Sequence, residues 1–149
     1  MARHLGVLIG LHRWRLDEQR RRLADVLRSL ETMESRLGDL EREIVAEQAF
    51  TGDAGADADA AGAAAAYAAY ARHAVERRAA VVQAIVAADA ELKQQQEKVK
   101  ECYRELRALE LAEENAARDR ASAVARLERL TLDEVALLAR ANRDGADTA

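Results

Sequence analysis

The sequence contains no proline, a single cysteine and very few aromatic residues. Phe, Trp and Tyr make up only 3% of its 149 residues, too few to supply the large side chains that dominate a compact core. Without proline, no ring interrupts a helix interior at any position. Because Cys102 is the only cysteine, no internal disulfide can form, and we expect a reducing compartment. These absences argue against both a compact globular core and a disulfide-stabilised secreted domain.

Long apolar runs are also missing. No segment approaches the ~20 apolar residues that a membrane-spanning helix requires. The short apolar run at residues 5–11 imitates a signal peptide only in part, because HRWR follows it at once in place of a small-residue cleavage site. We therefore expect a cytoplasmic protein.

No combination of residues indicates catalysis or cofactor binding. The three histidines share no motif with Cys102, and the glycines at 52, 55 and 62 lack the lysine and strand context of a phosphate-binding loop. An arginine cluster at residues 20–22 suits phosphate groups, but the net charge of the chain is −4. We expect no enzyme activity, no cofactor or metal, no small-molecule substrate and no nucleic-acid partner.

What the sequence has in abundance is a seven-residue apolar repeat. Leu or Ile recurs every seven residues from Ile9 to Ile44, and Val26, Met33 and Leu40 fill the second apolar position of these heptads. A strict heptad keeps one narrow seam turned towards a partner helix, which is typical of a coiled coil. A second stripe follows a glycine-containing break, at Val81, Ile85, Leu92, Val99, Cys102, Leu106, Leu109, Val124, Leu127 and Leu130. We predict an all-α fold: two long helices that form an antiparallel coiled-coil hairpin, the second longer than the first.

The expected boundaries describe a single coiled-coil domain over residues 1–149. Helix one covers about 4–50, the turn about 51–59, helix two about 60–141, and residues 142–149 form a disordered tail. Antiparallel pairing exhausts helix one near residue 110, so the rest of helix two has no partner within the chain. The sequence TLDE at 131–134 also fits a capping box, so helix two either continues through it or gives way to a short helix at about 132–141.

Charged and polar residues are unevenly placed on this framework. Residues 1–30 carry seven arginines against three carboxylates, whereas residues 31–59 carry two arginines against nine carboxylates. One end of a helical hairpin would thus be basic and the other acidic, which would steer different partners to each. Four polar residues fall on the apolar seam, where such residues set the register at some cost in stability: His12, Gln19, Arg78 and Gln95.

Two segments resemble a known family. Residues 8–21 read LIGLHRWRLDEQRR and residues 66–78 read AYAAYARHAVERR. Both are similar to the corresponding segments of the flagellar export protein FliJ family, particularly its alphaproteobacterial members. The resemblance implies a component of the flagellar type III export apparatus, peripheral to the inner membrane, whose two-helix coiled coil is similar to the central stalk of rotary ATPases.

The resemblance also implies partners: the hexameric flagellar export ATPase, the membrane export gate protein and export chaperones. Binding to the first two would promote ATPase assembly and activity, and with them export. The residues expected at the ATPase ring are Arg13, Trp14, Arg20, Arg21, Arg22, Leu127, Leu130, Val135 and Leu138. Those expected at the gate are Tyr67, Tyr70, His73 and Ala74.

The gate surface matches the family only in part. Tyr70 matches its aromatic position and Ala74 the next apolar one, but Arg77 and Val81 depart from the later positions. The composition and heptads also leave an alternative: a generic cytoplasmic coiled-coil scaffold or tether that acts as a homodimer.

Overall fold

A computed structural model describes residues 2–53 and 60–146 of the chain, and all of them are helical. Helix α1 spans Ala2–Asp53 and helix α2 spans Ala60–Ala146. The two helices contact each other and the second is the longer, which confirms the all-α fold expected from the heptads. Residues 54–59, part of the expected turn, and residues 147–149, the end of the expected tail, lie outside the described residues.

Both helices extend further than the sequence pattern indicated. Helix α1 continues through residues 51–53, because a single glycine costs a helix only about 1 kcal/mol relative to alanine. Helix α2 ends at Ala146, so residues 142–146 are helical where the sequence indicated a disordered tail. Arg143 lies in the last turn of α2, where a positive charge interacts favourably with the helix dipole.

Thr131 lies inside a continuous α2 and does not begin a new helix. Its hydroxyl group is directed to the carbonyl oxygens of Leu127 and Glu128, each 2.9 Å away. A threonine that bonds back to the preceding turn is compatible with a helix interior. The capping-box alternative at residues 131–134 is therefore wrong.

The contacts divide the chain into two compact units, Trp14–Tyr103 and Met1–Arg13 with Arg104–Ala149. In the first unit α1 and α2 run antiparallel, since Gln19 bonds to Gln95 whereas Glu41, further along α1, bonds to Arg78, earlier in α2. In the second unit the start of α1 packs beside α2, and Ile9 and Leu106 are buried.

The buried side chains follow the heptad repeat. The buried apolar side chains of α1 and α2 are Ile9, Leu16, Leu30, Leu40, Ala74, Ala88 and Leu106. The other heptad positions of α1 are half-buried: Leu23, Val26, Met33, Leu37 and Ile44. Each apolar position assigned to α1 thus lies wholly or partly inside, and Cys102 of α2 is half-buried too.

Two of the four polar residues assigned to the seam meet there. Gln95 is buried, and its Nε2 donates to the backbone carbonyl of Gln19 at 3.0 Å and to the side-chain oxygen of Gln19 at 2.7 Å. A satisfied polar pair within an apolar seam favours one register, because any slip leaves buried amide groups without partners.

The other two polar residues behave differently. Arg78 is exposed, because its long side chain reaches past the seam to the carboxylate of Glu41, with Nη2 and Oε1 3.0 Å apart. His12 is half-buried, with its Nδ1 3.3 Å from Glu105 Oε2. That nitrogen makes no hydrogen bond within the described part of the chain.

Replacing Leu40 by alanine tests the seam. Leu40 is 5% exposed, and truncating a buried leucine costs about 2–4 kcal/mol through lost burial and a residual cavity. The matched control is Leu27→Ala, because Leu27 lies on the same helix but is 46% exposed. Urea unfolding followed by circular dichroism should show a much lower midpoint for Leu40→Ala than for Leu27→Ala. Equal midpoints would contradict the assignment of Leu40 to the seam.

Candidate partner-binding surfaces

The basic segment expected at the ATPase ring is exposed in the first unit. Trp14, Arg20, Arg21 and Arg22 are all exposed. Arg22 pairs with Glu18 at 2.7 Å and Arg20 lies 3.8 Å from Asp17, both within the same helix. Such exposed pairs contribute at most about 1 kcal/mol, so these arginines can exchange them for a partner's acidic groups.

The three consecutive arginines do not form one patch. Successive residues of an α-helix are rotated by about 100°, so Arg20, Arg21 and Arg22 leave α1 in three different directions. Arg20 lies beside the seam, Arg21 shares the outer side of the helix with Trp14, and Arg22 lies on the remaining flank. Arginine side chains are therefore distributed around the part of α1 that α2 does not cover, with the carboxylates of Asp17 and Glu18 between them.

Arg13, expected at the ATPase ring together with these arginines, lies in the other unit and is bonded to Glu110. Its Nη2 donates to Glu110 Oε1 at 2.9 Å. This hydrogen bond is the main reason why the pKa of Glu110 is lowered, and the positive charges of Arg13 and Arg107 add to the effect. Arg13 therefore links α1 to α2, and one N–H of its guanidinium group is already engaged with Glu110.

The last part of α2 exposes most of its apolar side chains. More than half of each side chain is exposed at Leu127, Leu130, Val135 and Leu138. This exposure is expected for the part of α2 that extends beyond its pairing with α1. Between residues 117 and 145 every side chain is exposed except that of Ala125, which is half-buried. Helices normally gain their stability from packing an apolar face, so this segment presents a surface suited to a partner.

The residues expected at the export gate differ in their accessibility. His73 is exposed, and Tyr67 and Tyr70 are half-buried. Ala74 is only 2% exposed, so its methyl group lies between the helices and supports the surface from beneath. Ala74 occupies a seam position, seven residues before Val81, which explains its burial.

Tyr70 lies off the heptad positions of the seam, yet its hydroxyl oxygen is buried. The residue flanks the seam, and its side chain is long enough to approach the acidic residues of α1. Desolvation raises the pKa of Tyr70 above 10.0, and the carboxylates of Glu43 and Glu47 raise it further. The hydroxyl makes no hydrogen bond to any residue in the ranges 2–53 and 60–146.

Sequence reasoning missed two features of the first unit. An open groove of about 450 Å³ runs beside the seam, lined by Arg36, Asp39, Leu40, Glu43, Arg77, Ala80 and Val81. Two exposed valines, Val75 and Val86, lie on the outside of α2. Their spacing of eleven residues belongs to a second heptad pattern, which the stronger leucine pattern concealed.

Two kinds of feature are absent from the described residues. No group of three or more His, Cys, Asp or Glu side chains is placed to hold a metal ion. Within the same ranges, neither helix contains a stretch long and apolar enough to cross a membrane.

A family model described as "Flagellar FliJ protein" matches residues 1–145. The chain belongs to the FliJ family. This membership identifies a component of flagellar protein export, and the two helices with their heptad repeats fit a coiled coil. Neither the curated proteins nor the solved structures contain a match to this FliJ-family chain.

Replacing Tyr70 by phenylalanine tests its buried hydroxyl. Because burial raises the folded-state pKa of Tyr70 above 10.0, this tyrosine deprotonates at a higher pH than an ordinary one, and the folded state loses stability as the pH rises through that pKa. We expect Tyr70→Phe to remove the late component of an ultraviolet tyrosine titration and to weaken the loss of stability above pH 10.0. At neutral pH its unfolding midpoint should match that of the parent, since no described hydrogen bond is lost. A large destabilisation of Tyr70→Phe at neutral pH would show that the hydroxyl makes a stabilising hydrogen bond, which would contradict this description of Tyr70.

Proposed function

We propose that this FliJ-family chain acts as a stalk of the flagellar export apparatus. It binds the hexameric export ATPase through its basic and terminal segments and the membrane export gate near the start of α2. These contacts promote assembly and turnover of the ATPase, and export follows. The chain itself hydrolyses nothing, works on the cytoplasmic side at the inner membrane, and also handles export chaperones.

The observation that carries the ATPase proposal is the direction of the three arginines. A flat partner surface would not meet Arg20, Arg21 and Arg22 together, because they leave the helix about 100° apart and the first and last lie on nearly opposite sides. A ring that encloses the helix would meet all of them. Unequal contacts around such a ring would favour one ring conformation over the others, and a ligand shifts an equilibrium only through this difference in affinity.

The exposed end of α2 supports the same proposal. Its leucines and valines lie outside any packed seam in the described residues. Burying them in the ring would return about 25 cal/mol for each Å² of apolar surface removed from water. Helix formation in this segment would then be coupled to binding.

The alternative, a scaffold that dimerises through the end of α2, is less well supported. Continuing the seam of α2 in steps of three and four residues from Leu106 places Arg120 and Glu134 at the same heptad position. In a parallel dimer each would face its own copy, with like charges together. In an antiparallel dimer this position faces the other seam position, so Arg120 and Glu134 could not neutralise each other.

Near the gate, the accessible members of the predicted set are Tyr67, Tyr70 and His73. Aromatic side chains that are partly exposed contribute strongly to protein interfaces. The surrounding α2 surface is rich in alanine, which lets a partner approach the tyrosines closely. Ala74 would act only indirectly, by holding α2 against α1.

Removing the arginine cluster tests the ATPase contact. The triple variant R20A/R21A/R22A should bring the turnover of the same organism's flagellar export ATPase down to its unstimulated rate. The matched control is R28A/R36A/R42A, which removes three positive charges from the same helix outside the cluster. Equal stimulation by both variants would contradict the proposed ring contact, even if the chain still co-elutes with the ATPase.

Replacing Tyr67 and His73 by alanine tests the gate contact. We expect the double variant to bind the cytoplasmic portion of the gate protein about 5- to 30-fold more weakly, the usual effect of losing about 1–2 kcal/mol at an interface. Tyr103→Ala is the control, because Tyr103 is an exposed tyrosine of the same helix. Isothermal titration calorimetry would measure both, and unchanged affinity for Y67A/H73A would contradict the proposal.

A further inference from the structure

Helix α2 carries a second apolar face within the unit Trp14–Tyr103. Val75 is 66% exposed and Val86 58% exposed, Ala79 between them is exposed, and Val82 is half-buried. The spacings of four, three and four residues follow the a and d positions of a heptad. We refer to residues 75, 79, 82 and 86 as the outer stripe.

The outer stripe lies well away from the seam. At about 100° per residue its centre is roughly 110° around α2 from the centre of the seam positions. Ala74 and Ala88, which are buried against α1, mark the seam side. Helix α1 therefore leaves the outer stripe open to another helix.

Charged residues occupy the next heptad position at each end of the outer stripe. Arg72 precedes Val75 by three residues and Asp89 follows Val86 by three. Both are exposed, and neither forms an ion pair within the described part of the chain; Arg72 Nε donates only to the Ala68 carbonyl, at 3.4 Å. Seventeen residues of helix separate Arg72 from Asp89 by about 25 Å, so the two cannot pair within one molecule.

We propose that the outer stripe binds a second copy of this chain in antiparallel orientation. With Ala79 opposite Val82 of the second copy, Val75 faces Val86 and Arg72 faces Asp89. The two-fold symmetry repeats each contact. The interface then has an apolar centre and an Arg–Asp pair at each end, and no like charges face each other.

This register is the only antiparallel one within a heptad that pairs the charges. A shift of seven residues in one direction places Arg72 opposite Val82, and a shift in the other places it opposite Gln96. A parallel arrangement places Arg72 against Arg72 and Asp89 against Asp89, which is unfavourable. Arg120 and Glu134 differ from Arg72 and Asp89 in this respect. They share one heptad position, so they cannot pair across an antiparallel dimer.

The dimer should be weak, because its apolar centre consists of small side chains and buries little area compared with a stable interface. We expect a dissociation constant on the order of 10 μM. The proposal does not depend on the stalk function: self-association through the outer stripe is a separate property of α2.

Charge reversal in the 149-residue chain tests whether the partner is a second copy of the chain and whether Arg72 faces Asp89. By sedimentation equilibrium, Arg72→Glu alone and Asp89→Arg alone should each weaken the dimer at least about tenfold, because each places two like-charged pairs at the interface. An equimolar mixture of the two variants should regain parental affinity, since the glutamate introduced in one copy then faces the arginine introduced in the other. Both sites are exposed, and circular dichroism would verify that the helices are retained.

A second pair of variants tests the apolar centre. Val86→Glu should abolish the dimer, whereas Val45→Glu should not, because Val45 is similarly exposed, at 63%, but lies on α1. A chain that is monomeric at several hundred micromolar, or a dimer indifferent to the charge reversals, would overturn the proposal. So would a mixture no tighter than the single variants. A monomer whose gate binding is lost on Val86→Glu would also overturn it and assign the outer stripe to the gate.

Discussion

The heptad seam between α1 and α2 is the interaction on which the rest of the structure depends. Few large side chains are available, so the fold relies on leucines and isoleucines repeated at the same spacing, with alanines where α2 approaches closely. This narrow seam decides which side chains are covered and which are left for partners. The groove of about 450 Å³ beside it is open rather than enclosed, and the proposals for this chain concern its surfaces.

The buried positions could be predicted from the strict heptad repeat. Such a repeat indicates that a helix forms and also on which side of the helix each residue lies. Leu40 and the pair Gln19–Gln95 lie inside, as their heptad positions indicate. Side-chain length explains two departures: Arg78 occupies a seam position but extends out to Glu41, and Tyr70 flanks the seam but turns its hydroxyl inward. A heptad assigns the direction of a Cβ atom, and a long side chain can end on another side of the helix.

The candidate surfaces were harder to predict than the core. The basic cluster and the apolar end of α2 stand out in the sequence, and both are exposed. Ala74 was expected at the gate because it matches an apolar position of the family's gate surface, although its heptad position predicts burial. Family membership identifies the chain as a component of flagellar protein export. It does not assign individual contacts, which depend on side-chain direction and on charges such as those of Arg20, Arg21 and Arg22.

Hydrogen exchange along α2, with and without the flagellar export ATPase, tests the central claim most directly. The amides of residues 81–106 should be well protected in the isolated chain, because the seam covers this part of α2. Those of residues 118–146 should exchange quickly, since few tertiary contacts hold that segment. Adding the ATPase should protect residues 118–146 strongly. Strong protection there in the isolated chain, or no change when a bound ATPase is present, would contradict the account.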